Sequence, residues 1–431
     1  MNKIIFKNAR IIDPSQGVDE VLDLLVEGEF VSDLGKNLDS QDAEIIDCTG
    51  KILTPGWVDM HVHVREPGRE DKENIETFSR AAVMGGVTSA CAMPNTNPPA
   101  DNQTVIKHVV SRCKEVGLMN IHPFGCITKS QAGCELTEMV DMKNSGMVGV
   151  SDDGFDVNDM GLFKSALKYC KTYEIPVVCH NEDCDLSRHG VMHEGEVSTR
   201  LGLEGIPASS ESVSIAGQII LAEEVDYPVH FTHVSARSSL EMIRFAKERG
   251  IKVTADVTPH HLVLNHEACC GYDTAAKVNP PLRSEDDRRN LIEALRSGVI
   301  DCIATDHAPH TLLDKWVDFK SAAFGISGIE TFVALCVTKL IHEEKFSWSD
   351  LVAKVTCNPA KIMRLDRGNL AKGSVADIVL IDENLEKEVS TKHFLSKGKN
   401  SPFDGYKLRA WPVLTMVSGK IRMRDFEIFA D

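Results

Sequence analysis

Between Thr54 and Gly68 the chain reads TPGWVDMHVHVREPG, in which Asp59, His61 and His63 alternate with Val58, Met60 and Val62. Successive side chains of a β-strand point to opposite faces, so this spacing predicts Asp59, His61 and His63 on one side and the apolar residues on the other. Two imidazoles held in this way converge on one small volume. Neutral imidazole is the commonest nitrogen ligand for a borderline divalent metal. A His-x-His pair standing alone reads more readily as structural histidine, so the remaining ligands have to come from elsewhere in the chain.

They occur where apolar segments end. Strands are expected at about 57–63, 87–93, 120–126, 147–152, 175–180, 228–233, 251–257 and 300–305. Their C-terminal ends carry His61 and His63, Asn95 just beyond the second, Asp152 and Asp153, His180, His233, and Asp306. Any one of these, alone, reads as a satisfied core or surface residue. Four histidines and several carboxylates on one rim read instead as a ligand set for zinc, ahead of manganese, cobalt or iron. Zinc lowers the pKa of a bound water to about 7, which makes hydroxide available near neutral pH. A carboxylate beside that water, the role open to Asp306, takes its proton and returns it to a leaving nitrogen.

The elements that must position these residues follow from periodicity. Amphipathic helices are expected at roughly 74–85, 103–116, 158–173, 208–225, 237–249 and 285–297, between the strands. Eight β-α repeats predict an α/β fold, a closed (β/α)8 TIM barrel over residues 54–366 with its chemistry at the C-terminal ends of the strands. Residues 1–53 and 367–431 are short β-rich pieces between turn residues, which predicts one small β-sandwich domain built from both chain ends. The longest irregular stretches, about 181–207, 258–284 and 307–326, follow strands five, seven and eight, where loops carry function.

Composition bounds the partners. A net charge of −17 over 431 residues argues against nucleic-acid binding, and no run approaches the length of a membrane span. Met1 to Arg10 reads as strand rather than as a secretory signal, so the cytoplasm is the expected compartment. Thirteen cysteines without a C-x-x-C pair read as reduced, mostly buried thiols.

Some polar residues keep two readings. Arg65 either continues the inward alternation, with a guanidinium suited to a substrate carboxylate, or forms a surface pair with Glu66. Asn279, in VNPPLR, either reads an amide edge of a substrate or marks a loop. His260 and His261 lie close to the rim and stay outside the ligand set, while Glu330 reads as a helix-start charge.

Taken together, GWVDMHVHVREPG at 56–68, MPNTNPP at 93–99, SDDG at 151–154, TPHHL at 258–262, NPPLR at 279–283, DHAPH at 306–310 and KGKNSPFDG at 397–405 resemble the bacterial class I dihydroorotases of the amidohydrolase superfamily, over nearly the whole chain. The resemblance implies reversible, zinc-dependent hydrolysis of the cyclic amide of dihydroorotate to N-carbamoyl-aspartate, a step of pyrimidine synthesis. It implies one or two zinc ions per chain, with His61, His63 and Asp306 at one position, His180 and His233 at another, and Asp153 between them. Asp153, ranked above Asp152 by the resemblance, stands where many of the superfamily carry a carboxylated lysine. Asp306 would also be the catalytic proton shuttle. Arg65, Asn95 and His310 would hold the substrate carboxylate, with Asn279 a further substrate contact. A homo-oligomer is expected, and association with an aspartate carbamoyltransferase is compatible with the resemblance. The competing functions are another cyclic amidohydrolase (allantoinase, hydantoinase or dihydropyrimidinase) or a non-catalytic partner of the carbamoyltransferase.

Overall fold

Eight short parallel strands surround the centre of the computed structural model, which describes residues 3–430. They are Trp57–Val62, Val87–Ala92, Asn120–Gly125, Gly149–Val150, Val178–Cys179, Val229–Phe231, Val253–Val257 and Cys302–Ile303. The first four pair in sequence order, as do the last four. Parallel bridges Val150 to Val177 and Val62 to His307 join the two sets and close the ring. Every expected strand is present, but the fourth, fifth and eighth ladders are only two residues long. Their outer residues have left the ladder and carry polar side chains to the rim.

The barrel helices start where capping chemistry starts them. Asn74 caps Ile75–Met84, Asn102 caps Gln103–Val116, Asp159 caps Met160–Tyr173 and Ser284 caps Glu285–Ser297, each accepting from backbone N–H groups of the first turn. Met139–Asn144 is among the helices that were not expected, with Glu196–Leu201 and Trp348–Val355. Met139–Asn144 has six residues and no side-chain cap, so the sequence carries no start signal for it. After Gly328 the chain forms a 3-10 turn, an α-helical turn at Phe332–Cys336 and a π-helical segment at Val337–Glu343.

The strict alternation expected in the first strand fails, the register shifting twice along it. The second shift lies between Asp59 and Val62. Met60 packs with Cys91, Phe124, Val178 and Cys302, a group reached from strands all around the ring and therefore inside it, whereas Val62 packs with Phe78 and the helical layer. Asp59 is buried and accepts from Thr305 N at 3.0 Å and Thr305 Oγ1 at 2.5 Å, so it fastens strand eight to strand one and stays out of the His61 and His63 grouping.

Strands from both chain ends join in one nine-stranded sheet. A bulge at Asn8 lets Lys3–Asp13 pair with Glu44–Asp47 through its first half and with Ile52–Pro55 through its second. Ile52–Pro55 in turn pairs antiparallel with Ile378–Glu388. Phe6, Ile11, Leu24, Val26, Leu380 and Leu414 form a core separate from that of the barrel. Gly56 is the single residue between sheet and barrel, and a side chain there would collide with Thr88 Oγ1 at 2.1 Å. All thirteen cysteines are free thiols, most of them buried.

Candidate active site

His61 and His63, at the end of strand one, reach across the mouth of the barrel to Asp306, beyond strand eight. His63 Nε2 lies 3.0 Å and His61 Nε2 3.5 Å from Asp306 Oδ1. Asp153 approaches the same imidazoles, with Oδ1 at 3.2 Å from His61 Nε2 and Oδ2 at 3.5 Å from His63 Nε2. His180 and His233 complete the group, their Nδ1 and Nε2 atoms 3.0 Å apart and 3.7 and 3.5 Å from Asp153 Oδ1. Ligand atoms of His61, His63 and Asp306 lie within 4.8 Å of one another, as do those of His61, Asp153 and His233. Asp152 points elsewhere: its carboxylate is taken up by Ile127 N, Thr128 N and the Thr128 hydroxyl.

The donor set fits a cation. His61 Nε2 and Asp153 Oδ1 are buried and, among the described residues, have no hydrogen-bond partner, which is costly unless something charged stands between them. Burial alone would lower the pKa of His61, yet Asp153 and Asp306 raise it to about 9. Burial likewise opposes ionisation of Asp153, but the neighbouring imidazoles hold its carboxyl well below the usual range. The cluster therefore attracts positive charge, which a divalent ion would supply. The far ring atoms are oriented as metal-binding histidines usually are. His61 Nδ1 lies 2.7 Å from Thr232 Oγ1, His63 Nδ1 2.9 Å from Asn95 Oδ1, and His180 Nε2 3.2 Å from Glu182 Oε2.

Beside the cluster is a cavity of about 220 Å³ lined by His63, Arg65, Asn95, Asp153, Asn279 and His310, among others. A larger one, about 370 Å³, opens at the opposite end of the barrel between Pro176, Pro228 and Lys361, away from the strand ends that carry the imidazoles and carboxylates. Chemistry rather than volume selects the former. Arg65 is buried, and its Nε donates to Pro309 O at 3.3 Å while Nη2 lies 3.3 Å from His310 Nε2. Burial lowers its pKa to about 10, so the guanidinium keeps its charge at neutral pH. Glu66 takes no part, pairing instead with Arg112 at 2.9 Å. Burial, with Arg65 and Lys72 nearby, pushes His310 down to about 2. A neutral ring with its proton on Nε2 satisfies both neighbours, donating to Phe324 O at 2.8 Å and accepting from Lys72 Nζ at 3.2 Å.

Two residues of this region were not singled out by sequence reasoning. Lys72 has no local signal, but Glu182 follows His180 at the same spacing of two that joins His61 to His63. Asn279 Nδ2 donates to Glu182 Oε2 at 2.7 Å. His261 is consumed by Thr258 and Pro280 O, whereas His260 is buried with Nε2 unpartnered among the described residues. Arg65, His233 and Asp306 all have positive φ, at 62°, 39° and 47°, a costly backbone for residues with a side chain and one found where a site dictates direction.

A family model described as Dihydro-orotase-like matches residues 50–239, and one described as Amidohydrolase family matches residues 251–423. Among solved structures, an L-hydantoinase (dihydropyrimidinase) from Arthrobacter aurescens superposes with a TM-score of 0.89 at 26% identity, covering 100% of this chain and 98% of that one. A D-hydantoinase (dihydropyrimidinase) from Thermus sp. has a TM-score of 0.86 at 24% identity over 99% and 97%. These likenesses concern the fold. Sequence relatives are closer: a dihydroorotase of Acetivibrio thermocellus is 44% identical over 98% of this chain and 99% of its own length. A dihydroorotase of Geobacter metallireducens is 47% identical over 97% and 99%. Identity of this order, spread over nearly all of both chains and accompanied by the matching family model, leads to one conclusion: the chain belongs to the dihydroorotase family of the amidohydrolase superfamily.

Proposed function

We propose that this chain reversibly hydrolyses the cyclic amide of (S)-dihydroorotate to N-carbamoyl-L-aspartate. The observation that carries the reading is the meeting, in one cavity, of a His and Asp cluster that attracts a cation with the buried guanidinium of Arg65. A ring amide and an exocyclic carboxylate on one substrate match these two halves. Zinc, one or two ions, would be held by His61, His63 and Asp306 and by His180 and His233, with Asp153 between, and it supplies Lewis acidity and a water of lowered pKa.

The chain's own residues do the rest. Arg65 meets the substrate carboxylate with a fixed planar fork, Asn95 adds a neutral amide donor, and His310, its ring oriented by Phe324 O and Lys72, borders the same carboxylate. Asn279, oriented by Glu182, faces the ring amide. Asp306 accepts the proton of the attacking water and delivers it to the ring nitrogen as the carbon–nitrogen bond breaks; in the closing direction the same carboxylate takes the proton of the attacking ureido nitrogen and gives it to the departing hydroxide, which leaves as water. The working unit comprises a catalytic barrel, residues 54–366, and a composite domain of residues 1–53 and 367–431. It acts in the cytoplasm as a homo-oligomer, and docking onto an aspartate carbamoyltransferase is tested by co-purification. Among the described residues no helix is long and apolar enough to cross a membrane.

The direct test is a substrate panel on zinc-loaded protein. Dihydroorotate is expected to be preferred by kcat/KM over hydantoin, allantoin and dihydrouracil, and preference for any of these overturns the assignment. Anomalous diffraction at the zinc edge counts the ions. Replacing Asp153 with Ala is expected to weaken both positions together, because its carboxylate adjoins all four imidazoles.

A further inference from the structure

The loop after strand eight, which presents His310 and the carbonyl of Pro309 to Arg65, is held from outside as well as by its own hydrogen bonds, such as that of His310 Nε2 to Phe324 O. It rests on Ser396–Asn400, a segment that arrives from the C-terminal sheet strands. Asn400 is 7% exposed, and every polar atom of its side chain is used. Its Nδ2 donates to Ala308 O at 3.1 Å and Gly325 O at 2.9 Å, while Oδ1 accepts from His310 N and from Ser327 Oγ, both at 2.9 Å. Its backbone carbonyl accepts Ser327 N at 2.8 Å. A carboxamide alone supplies two donors and a two-lone-pair acceptor from one planar group, which is what two carbonyls, one N–H and one hydroxyl require.

The segment is fixed at its other end as well. Ser396 N donates to Glu330 Oε1 at 3.0 Å, Ser396 Oγ donates to Glu73, and a side chain at Gly398 would strike Pro309 Cβ at 2.5 Å. The contact is close enough for a displacement of Asn400 to move Pro309 and His310 directly.

We propose that Asn400 is a positioning residue for the substrate carboxylate clamp, acting through the backbone of residues 308–310 on His310 and Arg65. The proposal rests on the reading of the cavity as a dihydroorotate site. Asn400 touches no reacting atom in this arrangement, so it governs how well the carboxylate is held and leaves proton transfer at Asp306 alone.

The test is steady-state kinetics on the zinc-loaded full chain. Asn400→Ala is expected to raise KM for dihydroorotate about tenfold, with kcat within about twofold and zinc content unchanged. In a His310→Ala background the same substitution is expected to raise KM by less than about threefold, since one path serves both residues. Should Asn400→Ala fail to fold, Ser327→Ala removes a single donor to Asn400 Oδ1 and is expected to raise KM about two- to threefold. An unchanged KM, a loss confined to kcat, or full additivity with His310→Ala overturns the proposal. Failure of the unmodified chain to turn over dihydroorotate overturns the functional reading and this proposal with it.

Discussion

Two buried polar clusters lie at the C-terminal end of the barrel, and they differ in one respect. In the first, His61 Nε2 and Asp153 Oδ1 face each other at 3.2 Å with no hydrogen bond between them. In the second, Glu211 accepts from Ser235 N at 3.1 Å, Ala236 N at 3.0 Å and the Ser235 hydroxyl. Arg283, 3.8 Å away, donates to Ser235 Oγ at 3.0 Å and Ile206 O at 2.8 Å. Both clusters bury charge with comparable completeness. The closed one fastens a strand end to a helix, and the open one has valence left over for a cation and a substrate. Unused hydrogen-bonding capacity, rather than the burial of charged groups, separates chemistry from scaffolding here.

The comparison breaks most visibly at Asp306. Asp306→Asn keeps an oxygen near His63 but loses the proton acceptor, so kcat is expected to fall by about 10³ while zinc remains bound, checked by turnover and metal analysis on the same sample. Turnover like that of the unmodified chain would remove Asp306 from proton transfer. Glu211→Ala should do the reverse. It strands Arg283 in the interior, and a loss of about 3 kcal/mol in unfolding free energy is expected, with kcat/KM of the folded fraction within a few-fold of the original. Denaturant melts beside kinetics decide it, and a stable but inactive variant would dissolve the distinction.

Glu330 sharpens the comparison with the smallest effect. Burial raises its carboxyl to about 7, although backbone N–H groups of Leu395 and Ser396 oppose the shift. The folded chain thus keeps a proton that the unfolded chain releases at about 4.5. Stability from this group is complete below that pH and is lost as pH rises through about 7. Glu330→Gln cannot ionise, so its thermal stability relative to the unmodified chain should improve between pH 5 and pH 8, by at most about 3 kcal/mol. A constant difference across that range would show Glu330 already satisfied.

Much of this architecture was legible because its signals are local. Asn102, Asp159 and Ser284 announce helices at the next residue, and buried parallel strands read as apolar runs whose ends expose polar residues such as His180 and His233. What could not be read is either non-local or conformational. The shift after Asp59, which sends it to Thr305, depends on the neighbouring strand. The positive φ of Arg65, His233 and Asp306 has no signature in residues that ordinarily avoid it. Glu330 looked like a helix-start charge because its partner, Ser396, lies far along the chain. Asn400 sits in the KGKNSPFDG motif, yet nothing near it in sequence reveals that it meets His310.

The pairing of Ile52–Pro55 with Ile378–Glu388 also sets a timetable. A ribosome adds roughly 5–20 residues per second, so the first strands leave it tens of seconds before their partner exists. During that interval the edge of Ile52–Pro55 that later receives Ile378 to Ile381 has no permanent neighbour. An exposed strand edge is a template for mispairing with other nascent chains. Truncating the last strands would expose that edge and would also uncover the barrel core, to which Val379, Ile381, Ala410 and Val417 contribute.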